Sequence, residues 1–237
     1  MQNRQQKRQS KIVTFSGIDG AGKSTQIQSL QRGLEEAGLH VELVAFWEDV
    51  ARLKRIREGV GHSIFKGDKG VGSPSAPINR RDKNVRSSPM TVVRVVLYFI
   101  DAISTWCAVR KALRTNADFV ICDRYIYDEM ANLSLRNPLL RAYVRLLLKL
   151  VPKPDISYLL DADPKHARAR KPEYPLDFLA FNRQSYLNLS KMVDRMIVVS
   201  ALPVDEVKRI VLQNAFSLFQ IESAGVCEDG EPRILVG

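Results

Sequence analysis

The chain has 237 residues, 45% of them apolar and 26% charged, which is enough to bury one sizeable core and ordinary for a globular domain. Its longest apolar stretches, 92–103 and 143–151, are broken by Arg94 and Asp101 or by Arg145 and Lys149; each falls short of a membrane span, so no membrane partner is expected. The formal net charge of +10 favours polyanions of any kind, from nucleotides to nucleic acids, without choosing among them.

Residues 1–10, MQNRQQKRQS, are polar and basic without an apolar core, and read as a flexible arm rather than a secretory leader. Residues 11–16 form a short apolar run that predicts a buried strand. Helical spacing of Ile27, Leu30 and Leu34 predicts a helix over 23–37, with Gly38 as its C-cap. A second strand is expected at 41–46 and a helix at 48–58. Residues 59–89 are rich in glycine, proline and serine and carry Lys66, Lys69, Arg80, Arg81, Lys83 and Arg86. They read either as a solvated loop or as a mobile lid for a phosphorylated substrate.

A long helix is predicted over 90–114, a strand over 119–122, and helices over 126–136 and 139–150, ended by Pro152 and Pro154. A fourth strand follows at 156–160, helices at 164–170 and 176–193, and a fifth strand at 196–199. Pro203, Asp205 and Glu206 open a last helix that runs to about 219, leaving 220–237 as a tail. Strands alternating with helices imply an α/β fold: a five-stranded parallel sheet covered on both faces, in one domain over 11–219. Cys107, Cys122 and Cys227 are odd in number and match no zinc or redox spacing, which suits a reducing cytoplasm.

Between the first strand and first helix stands Gly17-Ile18-Asp19-Gly20-Ala21-Gly22-Lys23-Ser24, a complete G-x-x-x-x-G-K-S match followed by Thr25. Glycines let such a loop wrap a phosphate, and the helix N-terminus adds positive potential. The expected nucleotide-binding set is therefore Gly17, Asp19, Gly20, Ala21, Gly22, Lys23, Ser24 and Thr25. Lys23 would reach the β- and γ-phosphates, and Ser24 would sit on Mg²⁺. Asp123-Arg124-Tyr125 follows the third strand at the sheet edge where ligands bind. Asp123 is expected to hold Mg²⁺ and Arg124 to clamp a phosphate. The string Pro152-Lys153-Pro154-Asp155 departs from the guanine-reading signature, so the expected donor is ATP with Mg²⁺.

These residues carry a resemblance. FSGIDGAGKSTQ, VICDRY, PDISYLLDADPKHARAR and VSALPVDEV resemble segments of the thymidylate kinases, at both ends and in the middle of the chain. The resemblance implies the P-loop nucleoside-monophosphate-kinase fold and a small-molecule nucleotide as partner, with a homodimer as a further option. It places Asp19 near the acceptor sugar, Arg124 on the acceptor phosphate and Arg170 at the entrance of a short lid over 168–177. Arg168, Lys171 and Arg183 are further basic candidates there. The chain departs on the acceptor side: Ala45-Phe46-Trp47 stands where the family has an arginine-bearing turn, Asp101-Ala102 where it has Asp-Arg, and Asp128, Glu129, Asn132 and Leu133 where it has serines and Tyr-Gln. Asp128 and Glu129 suit an acceptor bearing an amino group or extra hydroxyls, or form the exposed start of a helix. The expected function is transfer of the γ-phosphoryl group of ATP to a nucleoside monophosphate or related acceptor. The alternatives are a kinase of polynucleotide ends or another phosphorylated metabolite, with nucleic acid the less favoured partner, and an ATP-binding regulatory protein.

Overall fold

A computed structural model of the protein describes residues 9–46 and 88–225. The basic arm up to residue 8, Trp47, the expected helix over 48–58, the segment 59–87 and the tail beyond 225 lie outside the described residues.

Five strands, β1 (Lys11–Ser16), β2 (Val41–Ala45), β3 (Phe119–Asp123), β4 (Ile156–Leu160) and β5 (Met196–Val199), form one parallel sheet in the order β2-β3-β1-β4-β5. The first strand in sequence thus lies at the centre. Its neighbours are fixed in register by Val13 opposite Ile121 on one side and Ile156 on the other. Asp155 clips the start of β4 to β1: its carboxylate accepts from the Ile12 amide at 2.8 Å, and its own amide donates to the Ile12 carbonyl.

Alternation along β1 divides the core. Val13 and Phe15 face a cluster with Ile27, Leu30 and Leu34 of α1 (Lys23–Glu36) and Val207, Val211 and Ala215 of α7 (Val204–Gly225). Ile12 faces the opposite cluster, with Tyr98, Ala102 and Val109 of α2 (Ser88–Ala112), Ile126 and Met130 of α3 (Ile126–Met130), Val144 and Leu147 of α4 (Pro138–Leu150), and Phe178 and Leu179 of α6 (Leu176–Ser190). The remaining helix, α5 (Pro164–Arg170), starts at Asp163, whose carboxylate accepts from the amides of Lys165 and His166.

Three expectations change. The helix expected over 126–136 stops at Met130, and Asn137 caps a separate helix by accepting from the Leu139 and Leu140 amides. The last helix continues to Gly225 rather than ending near 219. From Thr91 to Ala112, α2 is long and apolar enough by length and composition to cross a membrane, which the broken 92–103 stretch did not suggest. Here it packs on β2, α3 and α4, and Tyr143 of α4 donates to the Val95 carbonyl at 2.6 Å.

Candidate active site

The loop from Gly17 to Gly22 leaves the C-terminal edge of β1 and enters α1 at Lys23. Two of its positions admit no side chain. Gly17 has φ +142°, and a β-carbon there would lie 2.6 Å from the Leu160 carbonyl oxygen at the end of β4. Gly20 has φ +82°, and a β-carbon would overlap the Ala167 carbonyl of α5. The loop therefore lies backbone-to-backbone against β4 and α5. The Ala21 amide closes it by donating to the Ile18 carbonyl. Ser24 and Thr25 are exposed on the first turn of α1.

Lys23, expected to stand open to phosphate, is only 7% exposed. Its Nζ donates to the carbonyls of Gly17 at 2.7 Å and Ile18 at 2.9 Å, because an ammonium group in so little water takes the nearest acceptors. Burial lowers its pKa to about 8, Arg124 pushes in the same direction, and Asp128, Asp19 and Asp123 oppose them. These effects bring Lys23, Asp19, Asp123 and Arg124 into one electrostatic site, as the two motifs imply.

Arg124 is the hinge of this site. Its φ of 68° puts a non-glycine residue in the left-handed region directly after β3, and its amide donates to the Phe15 carbonyl of β1. From there the guanidinium reaches Asp19 in the loop through Nη2 (2.5 Å) and Asp128 through Nη1 (3.2 Å). Burial would lower its pKa, but Asp128 and Asp19 raise it well above the usual value, so it stays charged.

Asp128 is not an exposed helix start but is 6% exposed and the centre of a network. Its Oδ2 accepts from the Ser16 hydroxyl at 2.8 Å, and its Oδ1 from the Tyr186 hydroxyl at 2.7 Å and from Arg124. Glu129 is buried too. With Gly17, Asp19, Arg124, Asn132, Asn182 and Tyr186, these two acids line a small polar cleft. Behind it, α2 turns a polar face inward: Arg94, Tyr98, Asp101 and Thr105 are buried.

The basic residues of the lid separate. Arg170 Nη1 comes within 4.0 Å of where a β-carbon on Gly22 would sit, so it stands beside the loop. Arg183 is turned away into a two-pronged pair with Asp161, at 2.5 and 2.7 Å. Lys171 pairs with Glu173 at 3.2 Å. Sequence reading gave Ser16 no role in the site and named Tyr186 only as part of the family-like helix after the lid. The only available signal was Tyr186 on the helix after the lid, and nothing marked it as a partner of Asp128, 58 residues away.

A family model described as thymidylate kinase matches residues 78–211. A probable thymidylate kinase of Pyrococcus abyssi (strain GE5 / Orsay) is 29% identical over 206 residues, covering 83% of this chain and 91% of that protein. A thymidylate kinase of Chlorobium limicola (strain DSM 245 / NBRC 103803 / 6330) is 27% identical over 234 residues, covering 88% and 97%. A probable thymidylate kinase of Methanosphaera stadtmanae is 24% identical over 208 residues, covering 85% and 95%. The family match begins after the glycine loop, so the loop motif and the family match are independent observations.

Proposed function

The chain belongs to the thymidylate kinase family as a thymidylate kinase-like phosphotransferase, and from that premise we propose that it transfers the γ-phosphoryl group of ATP, with Mg²⁺, to a nucleoside monophosphate or a closely related acceptor. The observation that carries this reading is the joining of two motifs through Arg124, which links the glycine loop at Asp19 to the edge of β3.

The residues fit the groups they are asked to hold. Positions 17 and 20, where any β-carbon would collide with backbone, keep the loop bare enough for phosphates to approach its main chain. Lys23 at the loop's end supplies the charge for the β- and γ-phosphates. An exposed Ser24 hydroxyl and the half-buried Asp123 carboxylate are the sparse oxygen set that Mg²⁺ takes alongside phosphates. When bound, Mg²⁺ neutralises charge on the phosphate oxygens. Arg124 orients the acceptor, and Arg170 beside the loop offsets charge spreading over the transferring group.

Two further features belong to this reading. Val92, Val96, Phe99, Ile103 and Trp106 of α2 form an exposed apolar stripe at helical spacing, which supports a homodimer through this face. The free thiol of exposed Cys107 supports a reducing, cytoplasmic setting.

The test is a coupled assay of ATP turnover across nucleoside monophosphates, nucleosides and oligonucleotide ends. Transfer to at least one monophosphate is expected. Turnover confined to oligonucleotide ends, or none with any acceptor, would overturn the reading.

A further inference from the structure

Helix α4 has two faces of different kinds. Val144 and Leu147 are buried in the core. The outer side carries two neighbouring rows at helical spacing. One is Leu139, Leu146 and Leu150, which are 78%, 49% and 41% exposed. The other is Arg141, Arg145 and Lys149, all exposed, with exposed Arg136 just ahead of the helix. Residues 130–154 hold five basic side chains and no acidic one. Lys153, the fifth, pairs with Asp194 at 3.8 Å; among the described residues the other four make no ion pair. Tyr143 ties α4 to the Val95 carbonyl of α2, so a fixed element presents both rows.

We infer that this face of α4 is a docking surface for an anionic lipid bilayer, with the leucines entering the headgroup boundary and the basic row meeting lipid phosphates. Each row alone would suit other partners, but the two together narrow the choice. A nucleic acid would neutralise the cations and leave the leucines in water. A second copy, packed face to face, would cover the leucines only by bringing its own basic row against the first, with no acid in either to offset it. An anionic bilayer answers both rows at once. Leu139 to Leu150 spans about 17 Å along the helix, short enough for the leucines to share one planar surface. The broken apolar runs of the sequence bear only on spanning, whereas a helix lying at a membrane surface uses one face. None of these residues lines the polar cleft, so docking and phosphoryl transfer are separable by substitution.

The test is co-sedimentation of the full chain with vesicles of phosphatidylcholine, alone or mixed equally with phosphatidylglycerol. Partition into the anionic vesicles should exceed that into the neutral ones by at least about tenfold. Replacing the basic row by Arg141→Gln, Arg145→Gln and Lys149→Gln should lower it by at least about tenfold. Removing three charges from the N-terminal arm instead, by Arg4→Gln, Lys7→Gln and Arg8→Gln, should lower it by about threefold or less. Leu139→Gln with Leu146→Gln keeps every charge and should still lose about tenfold. All the α4 side chains changed are exposed, so the melting temperatures should hold; should one variant fail to fold, the other decides. Equal partition into the two kinds of vesicle overturns the inference. So does an arm variant that loses as much as the basic-row variant, or a folded leucine variant that binds vesicles like the unaltered chain. Basic-row substitutions that abolish binding of a single-stranded oligonucleotide but leave vesicle binding intact would make this a nucleic-acid surface and overturn it too.

Discussion

Lys23 is held by two backbone carbonyls, whereas the proposed function asks it to meet a phosphate, and its titration bears on both demands. Its folded pKa of about 8 lies below the ordinary lysine value of 10.5, so between those values the unfolded chain binds the extra proton. Stability from this group therefore rises with pH across that window, and is least below pH 8, where the buried amine is charged. Activity should run the other way. kcat/KM for ATP is expected to fall as pH rises through about 8, because the free enzyme then loses the charge that meets the anion. A flat profile from pH 7 to 9 would rule this out. Lys23→Ala should abolish transfer while circular dichroism and the thermal transition still report a folded chain. Asp128→Asn should weaken a different link, since Arg124, Tyr186 and Ser16 all bond to that carboxylate. The expected loss is about 1–3 kcal/mol in urea unfolding, with a fall in transfer. Thymidylate should also be a weak acceptor, because Ala45 and the buried Ala102 stand at or near the family's acceptor-side arginines. Each missing charged bond costs about 1.5–3 kcal/mol. Steady-state kinetics with thymidylate at an efficiency matching the best monophosphate would contradict this. That Lys23, Asp123 and Arg124 lie near one another was legible because motif and strand end coincide. Asp128 was not, since an acid after a short loop looks like first-turn dipole matching, and its burial depends on Tyr186 from a distant helix.

At the scale of elements, the strands were the most readable: 11–16, 156–160 and 196–199 match β1, β4 and β5, because apolar runs bounded by glycine, proline and aspartate leave little freedom. The short α3 was less so. Helical propensity runs past Met130, and only the Asn137 cap, satisfied by two amides of the next helix, marks the division. α2 inverts the usual helix, burying Arg94, Asp101 and Thr105 while exposing Val92, Val96 and Phe99. Composition shows it to be a helix, but the inverted facing follows from the polar cleft on one side. The contact between the glycine loop and α5 yields a sharper expectation. Gly20→Ala should destabilise the fold by about 1–3 kcal/mol and weaken ATP binding, because the added carbon meets the Ala167 carbonyl at a left-handed φ. Unchanged thermal stability and ATP affinity would show that α5 yields freely.

For the molecule as a whole, the exposed stripe on α2 sets the expectation for assembly. Phe99→Glu combined with Ile103→Glu should convert a dimer into a folded monomer by analytical ultracentrifugation, since two charges cannot enter an apolar interface unpaired. An unaltered chain that sediments as a monomer at micromolar concentration would remove the stripe from consideration. The α/β class and the central place of the glycine-loop strand were readable from alternation, whereas the strand order required the tertiary pairing itself. That order has a consequence for how the chain is made. β1 leaves the ribosome first, yet the Asp155 clip that joins it to β4 lies 143 residues further on. The cluster on its Val13 side is closed by α7, near the end of the described chain. The centre of the sheet must therefore wait, as an unfinished and apolar segment, for most of translation, with β3 as its earlier partner. Ribosome-stalled chains ending before residue 150 should remain protease-sensitive across β1, and those extending past α7 should not; nascent-chain chaperones would meet this protein chiefly through its first strand.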